Sequence, residues 1–148
     1  MTDIDSKLLP TISCTIAVVG AELEIDVVSG LLGASPTITS RERPIRLGPD
    51  AGKHAWYIDS ERVSTIELNE VVRQLFGRLK GDLSKASKEF ESMKARCTVA
   101  VYIHLLSAEE PFLFLSRETI KLISLLNAEF MIDWYDEREL KQSGEDED

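Results

Sequence analysis

The stretch CTVAVYIHLL, residues 97–106, decides the fold. Val99, Val101, Ile103 and Leu105 alternate with Thr98, Ala100, Tyr102 and His104. Strict alternation is the signature of a strand whose two faces meet different surroundings. One face is aliphatic and belongs in a core. The other is aromatic and polar, a composition that a second covering layer would not favour. The chain is therefore expected to build a sheet with helices mainly on one side.

Working outward, TISCTIAVV (residues 11–19) shows the same pattern, with Cys14, Ile16 and Val18 opposite Ser13, Thr15 and Ala17. KHAWYID (53–59) reads as a short strand with Trp56 inward and Tyr57 outward. EFMIDWY (129–135) reads as a last strand with Phe130, Ile132 and Trp134 towards the helices. Between the strands lie three helical patterns. Val27, Val28, Leu31 and Leu32 share a face in AELEIDVVSGLLGASP. Asp26 is a candidate cap or first-turn acid there, Gly33 a left-handed C-cap, and Pro36 the stop. Gly30 inside this helix costs about 1 kcal/mol relative to alanine, which suggests a close approach of another element. Ser64 to Arg96 reads as one long helix, with a kink or break near residue 81 from Gly77, Gly81 and the candidate N-cap Asp82. Ser116 caps the helix RETIKLISLLN. Between residues 37 and 52, Ile38, Pro44 and Leu47 are expected to anchor an irregular edge segment, followed by the turn GPDAG.

The resulting fold class is α+β: a four-stranded, mostly antiparallel sheet with helices packed mainly on one face. The expected organisation is an N-terminal arm (1–10), a single domain (11–135) and an acidic disordered tail (136–148). That tail holds seven acids and two bases, a balance of −5 within the total of −9, so the other residues carry only −4. A mildly acidic body argues against nucleic-acid binding, which needs a basic face. No apolar run reaches the roughly 20 residues of a membrane span. The start, MTDIDSKLLP, has neither a basic nor an apolar leader region, so a cytoplasmic location is expected.

Several chemistries find no support. The histidines, His54 and His104, and the cysteines, Cys14 and Cys97, stand in no metal-ligand spacing, and no metal or other cofactor is expected. Cys97 and His104 have opposite parity on one strand and so face opposite sides. Nucleophile-elbow, phosphate-loop and dinucleotide signatures are missing from the sequence. A non-enzymatic protein is expected.

The order of elements carries a resemblance. Leu32-Gly33 ending a short helix, Pro36-Thr37, Trp56 in HAWYID, Leu115-Ser116 in FLFLS and Ile132-Asp133 in FMIDWY follow one another as they do in the bacterial family known as domain of unknown function 4279. The sequence resembles that family over about residues 11–135. ITSRERPIRLG is a looser version of the basic or tryptophan-bearing run that follows the family's Pro-Thr step. The resemblance implies a small domain without an established activity. It also implies a kinship with proteins thought to lie near polymorphic toxin systems and to act as immunity proteins.

Parity then names the candidate site. The sheet face away from the helices carries Tyr57, Tyr102, His104, Asp133 and Tyr135, a mixture enriched where proteins meet partners. These residues are the candidate partner-binding set, the partner being another protein such as a cognate toxin. An ordinary solvated face, or one covered by residues 37–48, is the plain alternative. A second class of function would use Arg41, Arg43, Arg46 and Lys53 to bind an anion or small molecule.

Overall fold

A computed structural model describes residues 8–138 of the chain. Its strands are β1 (Thr11–Gly20), β2 (Ile38–Thr39), β3 (His54–Asp59), β4 (Val63–Ser64), β5 (Arg96–Leu105) and β6 (Glu129–Asp136). Its helices are α1 (Ile25–Leu32), α2 (Leu68–Gly77), α3 (Leu83–Ser92) and α4 (Arg117–Leu125).

The α+β class holds, and the sheet is larger than expected. It has six strands in the order β2-β3-β1-β5-β6, with β4 pairing the start of β1. β1 pairs antiparallel with β3, β4 and β5, whereas β5 and β6 run parallel, joined by α4 as a crossover. The two added strands have two residues each, too short to show a period of two.

β1 sits at the centre, and its alternation is clean. Ile12, Cys14, Ile16 and Val18 are fully buried, as are Val99, Val101 and Ile103 beside them on β5. The helices cover this face: α1 lies against β3, α2 against β1, α3 against β5, and α4 on α2 and α3. Trp56 is inward and fully buried, as its parity predicts. Its indole N–H donates to Ser29 Oγ at 3.0 Å, which satisfies the one polar atom of a large core side chain. On β6 the inward set is only partly sheltered. Phe130 and Ile132 pack against the core, but Trp134 is 43% exposed, because β6 is the sheet's edge.

The expected long helix is two helices. The chain breaks between Gly77 and Leu83, where Asp82 accepts from the Lys85 N–H as the N-cap of α3. Residues 64–67 are not helical. Ser64 pairs with Thr11, and the Thr65 N–H donates to Pro10 O, so tertiary pairing outcompetes helix formation. α1 starts at Glu24 without a side-chain cap, and Asp26 lies in its first turn. Gly33 is the left-handed C-cap, with φ 62°. Gly30 has open space around it, so no element approaches there. In the 37–52 segment only Ile38–Thr39 is strand, and Leu47 is 87% exposed and anchors nothing. β6 continues through Asp136, and Glu137 makes a defined contact, so ordered chain extends past residue 135. The rest of the expected tail, from residue 139, and most of the N-terminal arm lie outside the described residues.

Candidate functional site

Each strand of the sheet sends every second side chain to the face opposite the helices. Ser13, Thr15 and Ala17 from β1 and Thr98 and Ala100 from β5 are small, so the middle of this face is low. Tyr57 on β3 and Tyr102 on β5 stand higher on either side, with Arg43 and Arg62 at the rim. The result is a groove of about 580 Å³. Asp59 faces the same groove and accepts a 2.6 Å hydrogen bond from Thr15 Oγ1.

Register shows how the five candidate side chains are grouped. Tyr102 is opposite Asp133, and His104 is opposite Tyr135, on the adjacent strands β5 and β6. The His104 and Tyr135 rings stack with centroids 4.7 Å apart and planes 12° from parallel. The Tyr135 hydroxyl donates to Asp133 Oδ2 at 3.0 Å. His104 Nδ1 donates to Glu137 Oε1 at 2.9 Å, which fixes the ring from its other side. Arg62 lies 3.8 Å from the same carboxylate and donates through Nε to Thr11 Oγ1. Tyr57 is two strands and four residues away from Tyr102, about 16 Å by strand spacing and rise. Four of the five residues therefore form one cluster, and Tyr57 faces them across the groove.

The electrostatics follow from these neighbours. Burial, then the nearby Tyr135 and Asp133 charges, push the Tyr102 phenol above its ordinary range. Burial does the same for Tyr57, assisted by Asp50 and opposed by Arg43. The bond to Asp133 raises the Tyr135 phenol. All three hydroxyls are therefore neutral donors over a wide pH range.

The basic candidates do not converge. Thr39 donates from both its N–H and its hydroxyl to Glu42 Oε2, at 2.8 and 2.6 Å, while the N–H groups of Glu42 and Arg43 donate to Thr39 O. This tight turn separates successive arginines. Arg41 goes to Asp26, 3.7 Å away, beside a second cleft of about 590 Å³ bordered by α1 and His54. Arg43 goes to the tyrosine groove, and Arg46 is exposed. Lys53 pairs with Asp50 at 3.1 Å, and Asp50 also takes Arg96 at 2.7 Å. Of the four, only Arg43 shares a cavity with the tyrosines. The α1 cleft matches the groove in volume, but its Asp26 and Arg41 already answer one another.

Sequence reasoning missed Asp59, Arg62 and Glu137. Asp59 is the last residue of β3 and Arg62 follows it, where the alternation ends, and Glu137 falls in the segment read as tail. Only the outward parity of Asp59 with Tyr57 carried a signal. Cys14 and Cys97 are both buried free thiols on the helix side, remote from His104's face. Among the described residues, no three His, Cys, Asp or Glu side chains cluster as a metal site. No helix among them is long and apolar enough to cross a membrane.

A family model described as "Domain of unknown function (DUF4279)" matches residues 10–137. The chain belongs to this family. No curated protein and no solved structure matches it. In this DUF4279 domain the residues that carried the resemblance have visible structural duties. Gly33 ends α1, Trp56 fills the core, Ser116 accepts from the Thr119 N–H to cap α4, and Asp133 holds the Tyr135 hydroxyl.

Proposed function

We propose that this chain is a non-enzymatic protein-binding module and that the open sheet face takes the partner. The observation behind this reading is the groove itself. A floor of small side chains lies between Tyr57 and Tyr102, and the His104–Tyr135 stack stands beyond Tyr102 on the same face, outside the groove's lining. Aromatic side chains beside a recess are the usual anchors of protein interfaces. The specific form we propose is an immunity protein that occludes a toxin. The net charge of −9 supports a basic partner, which it would attract at long range.

A second reading has one observation in its favour. Arg43 lines the groove beside Tyr57, and among the described residues its guanidinium has no hydrogen-bond or ion-pair partner. A small anionic ligand could pair with it there. Calorimetric titration with nucleotides and with sulfate separates the two. Heat that disappears in Arg43→Ala supports the small-ligand reading. No heat, with a protein that co-purifies with the wild type but not with a stably folded Tyr57→Ala/Tyr102→Ala variant, supports the protein-binding one. A chain that shows neither sinks both.

A further inference from the structure

The two long sides of the groove differ. Its floor follows β1 from Ser13 through Thr15 to Ala17, about 14 Å at the rise of a strand. On one side stand Tyr57 and Asp59 of β3. Arg43 joins them from the segment after β2, the strand paired to the outer side of β3, and Arg62 follows β3 itself. The other side is Tyr102 of β5 and Met131 of β6, neither of them charged. At the Tyr102 end the walls rise from β3 and β5, two strand spacings or about 9.6 Å apart. An α-helix with its side chains is about 10–12 Å across, so this end admits extended chain and excludes a helix.

The charges on the β3 side are not equally satisfied. Arg62 is answered from within the chain: its Nε donates to Thr11 Oγ1 at 2.6 Å, and its guanidinium lies 3.8 Å from Glu137. Asp59 uses Oδ1 to accept from Thr15 Oγ1 at 2.6 Å, and Arg78 reaches only its backbone oxygen. Among the described residues, neither the Asp59 carboxylate nor the Arg43 guanidinium has an ion-pair partner. Besides burial and Asp50, the Tyr57 phenol feels Arg43 and Asp59 with opposite sign, so both charges lie beside it, yet they do not pair with each other.

A partner that closes the groove takes both charges out of water, and a covered charge left unpaired is costly. An occupant that answers Arg43 alone strands Asp59, and the reverse holds equally. Both charges stand on one side of the groove, so the groups that answer them must lie on one side of the occupant. In an extended chain alternate residues share a side, and residues two apart are separated by about 6.8 Å, the same step as from Tyr57 to Asp59.

We infer that the groove takes an extended segment of the partner protein with an acidic and a basic residue two or four positions apart. The acid pairs with Arg43 and the base with Asp59. An apolar residue between them turns towards Tyr102 and Met131. The inference rests on the protein-binding reading of this groove and adds what the partner must present there. A partner that is basic overall still meets the requirement, because only one short segment is constrained.

Selection of random peptides displayed on phage, against the immobilised full chain, tests it. The peptides to be sequenced bind the wild type but not a stably folded Tyr57→Ala/Tyr102→Ala variant. An acid and a base at even spacing should be enriched severalfold among them. For a synthesised peptide followed by fluorescence polarisation, Arg43→Ala and Asp59→Asn each weaken binding about fivefold to tenfold. Asp59→Asn keeps an acceptor for Thr15 while removing the charge. Should it fold poorly, glutamine in place of the peptide's base makes the same test from the other side. Shifting that base by one position weakens binding as much, and a peptide whose acid is changed to lysine recovers binding to Arg43→Glu. Tyrosine-dependent peptides of one charge sign, or peptides indifferent to Asp59→Asn and to the one-position shift, overturn the inference and leave the groove as a binding site. Peptides that all bind independently of the tyrosines overturn the groove reading itself, and the inference with it.

Discussion

Gly33 and Gly81 meet backbone to backbone. A Cβ on Gly33 would lie 2.6 Å from Gly81 N, and one on Gly81 would strike the carbonyl oxygen of Leu31. The Gly81 N–H donates to Leu32 O at 3.0 Å across this contact, so the end of α1 is tied to the break between α2 and α3. Gly81→Ala forces the two backbone segments apart, and overpacking of this kind costs about 1–3 kcal/mol. Gly30→Ala is the opposite case. It sits inside α1 with nothing within 4 Å, so it removes a helix penalty and stabilises by about 1 kcal/mol. Urea denaturation of the two variants should show shifts of opposite sign; equal shifts would contradict the assigned packing.

Ser29 and Trp56 make the second test. The indole N–H is fully buried with its residue and has Ser29 Oγ as its acceptor. Ser29→Ala leaves that donor unpaired, at a cost of about 1–3 kcal/mol. Ser29→Thr keeps the oxygen and should recover most of it. Both are read from the midpoint of denaturation, with Trp56 fluorescence as the probe in a Trp134→Phe background. A Ser29→Ala variant as stable as the wild type would show that the bond contributes nothing net.

The buried thiols give the pH dependence. Burial pushes Cys14 from 9.0 up to about 12, with a smaller push from Asp59, and burial alone takes Cys97 to about 12. In the unfolded chain both thiols ionise near their ordinary value, while the folded chain holds them neutral. Their stabilising effect is therefore complete below about pH 9, and each thiol loses roughly 1.4 kcal/mol per pH unit above it. The raised tyrosines add the same sign only from about 10.0 upward, so the window from 9.0 to 10.0 isolates the thiols. Cys97→Ala should reduce the slope there to about half. A wild-type stability that rises across this window contradicts the burial.

The fold was legible where side chains repeat. β1 and β5 alternate over ten residues each, and the break near Gly81 was announced by two glycines and a cap. The parallel pairing of β6 was not legible, since β6 has the same alternation in either direction and only the path of α4 decides it. β2 and β4 are too short to have a period, and Ser64 and Thr65 give up a helix for pairing with Thr11 of β1 and a bond to Pro10 just before it, which no local signal announces. The site divides similarly. Parity placed Tyr57, Tyr102, His104, Asp133 and Tyr135 on one face. It could not show that the turn at Thr39 would send Arg41 and Arg43 to different cavities, or that Glu137 would return to His104.

That turn supplies the last prediction. If the groove between Tyr57 and Tyr102 is where a partner docks, the basic segment should be sensitive at one position only. Arg43 borders the groove, whereas Arg41 faces Asp26 and Arg46 is exposed elsewhere. Truncating a central aromatic anchor typically removes 2 kcal/mol or more of binding, roughly a thirtyfold loss. Tyr102→Ala should therefore weaken a captured partner by about that factor, while Arg43→Ala has a smaller effect and Arg41→Ala and Arg46→Ala have almost none. The side chains of Tyr57, Tyr102 and Arg43 do not belong to the buried core, so these variants should keep their melting temperatures within a few degrees. Affinity measured by biolayer interferometry, beside a thermal melt of each variant, separates the outcomes. Equal losses at Arg41, Arg43 and Arg46 would point to diffuse charge attraction, and unchanged binding in Tyr102→Ala would remove the groove from the interface.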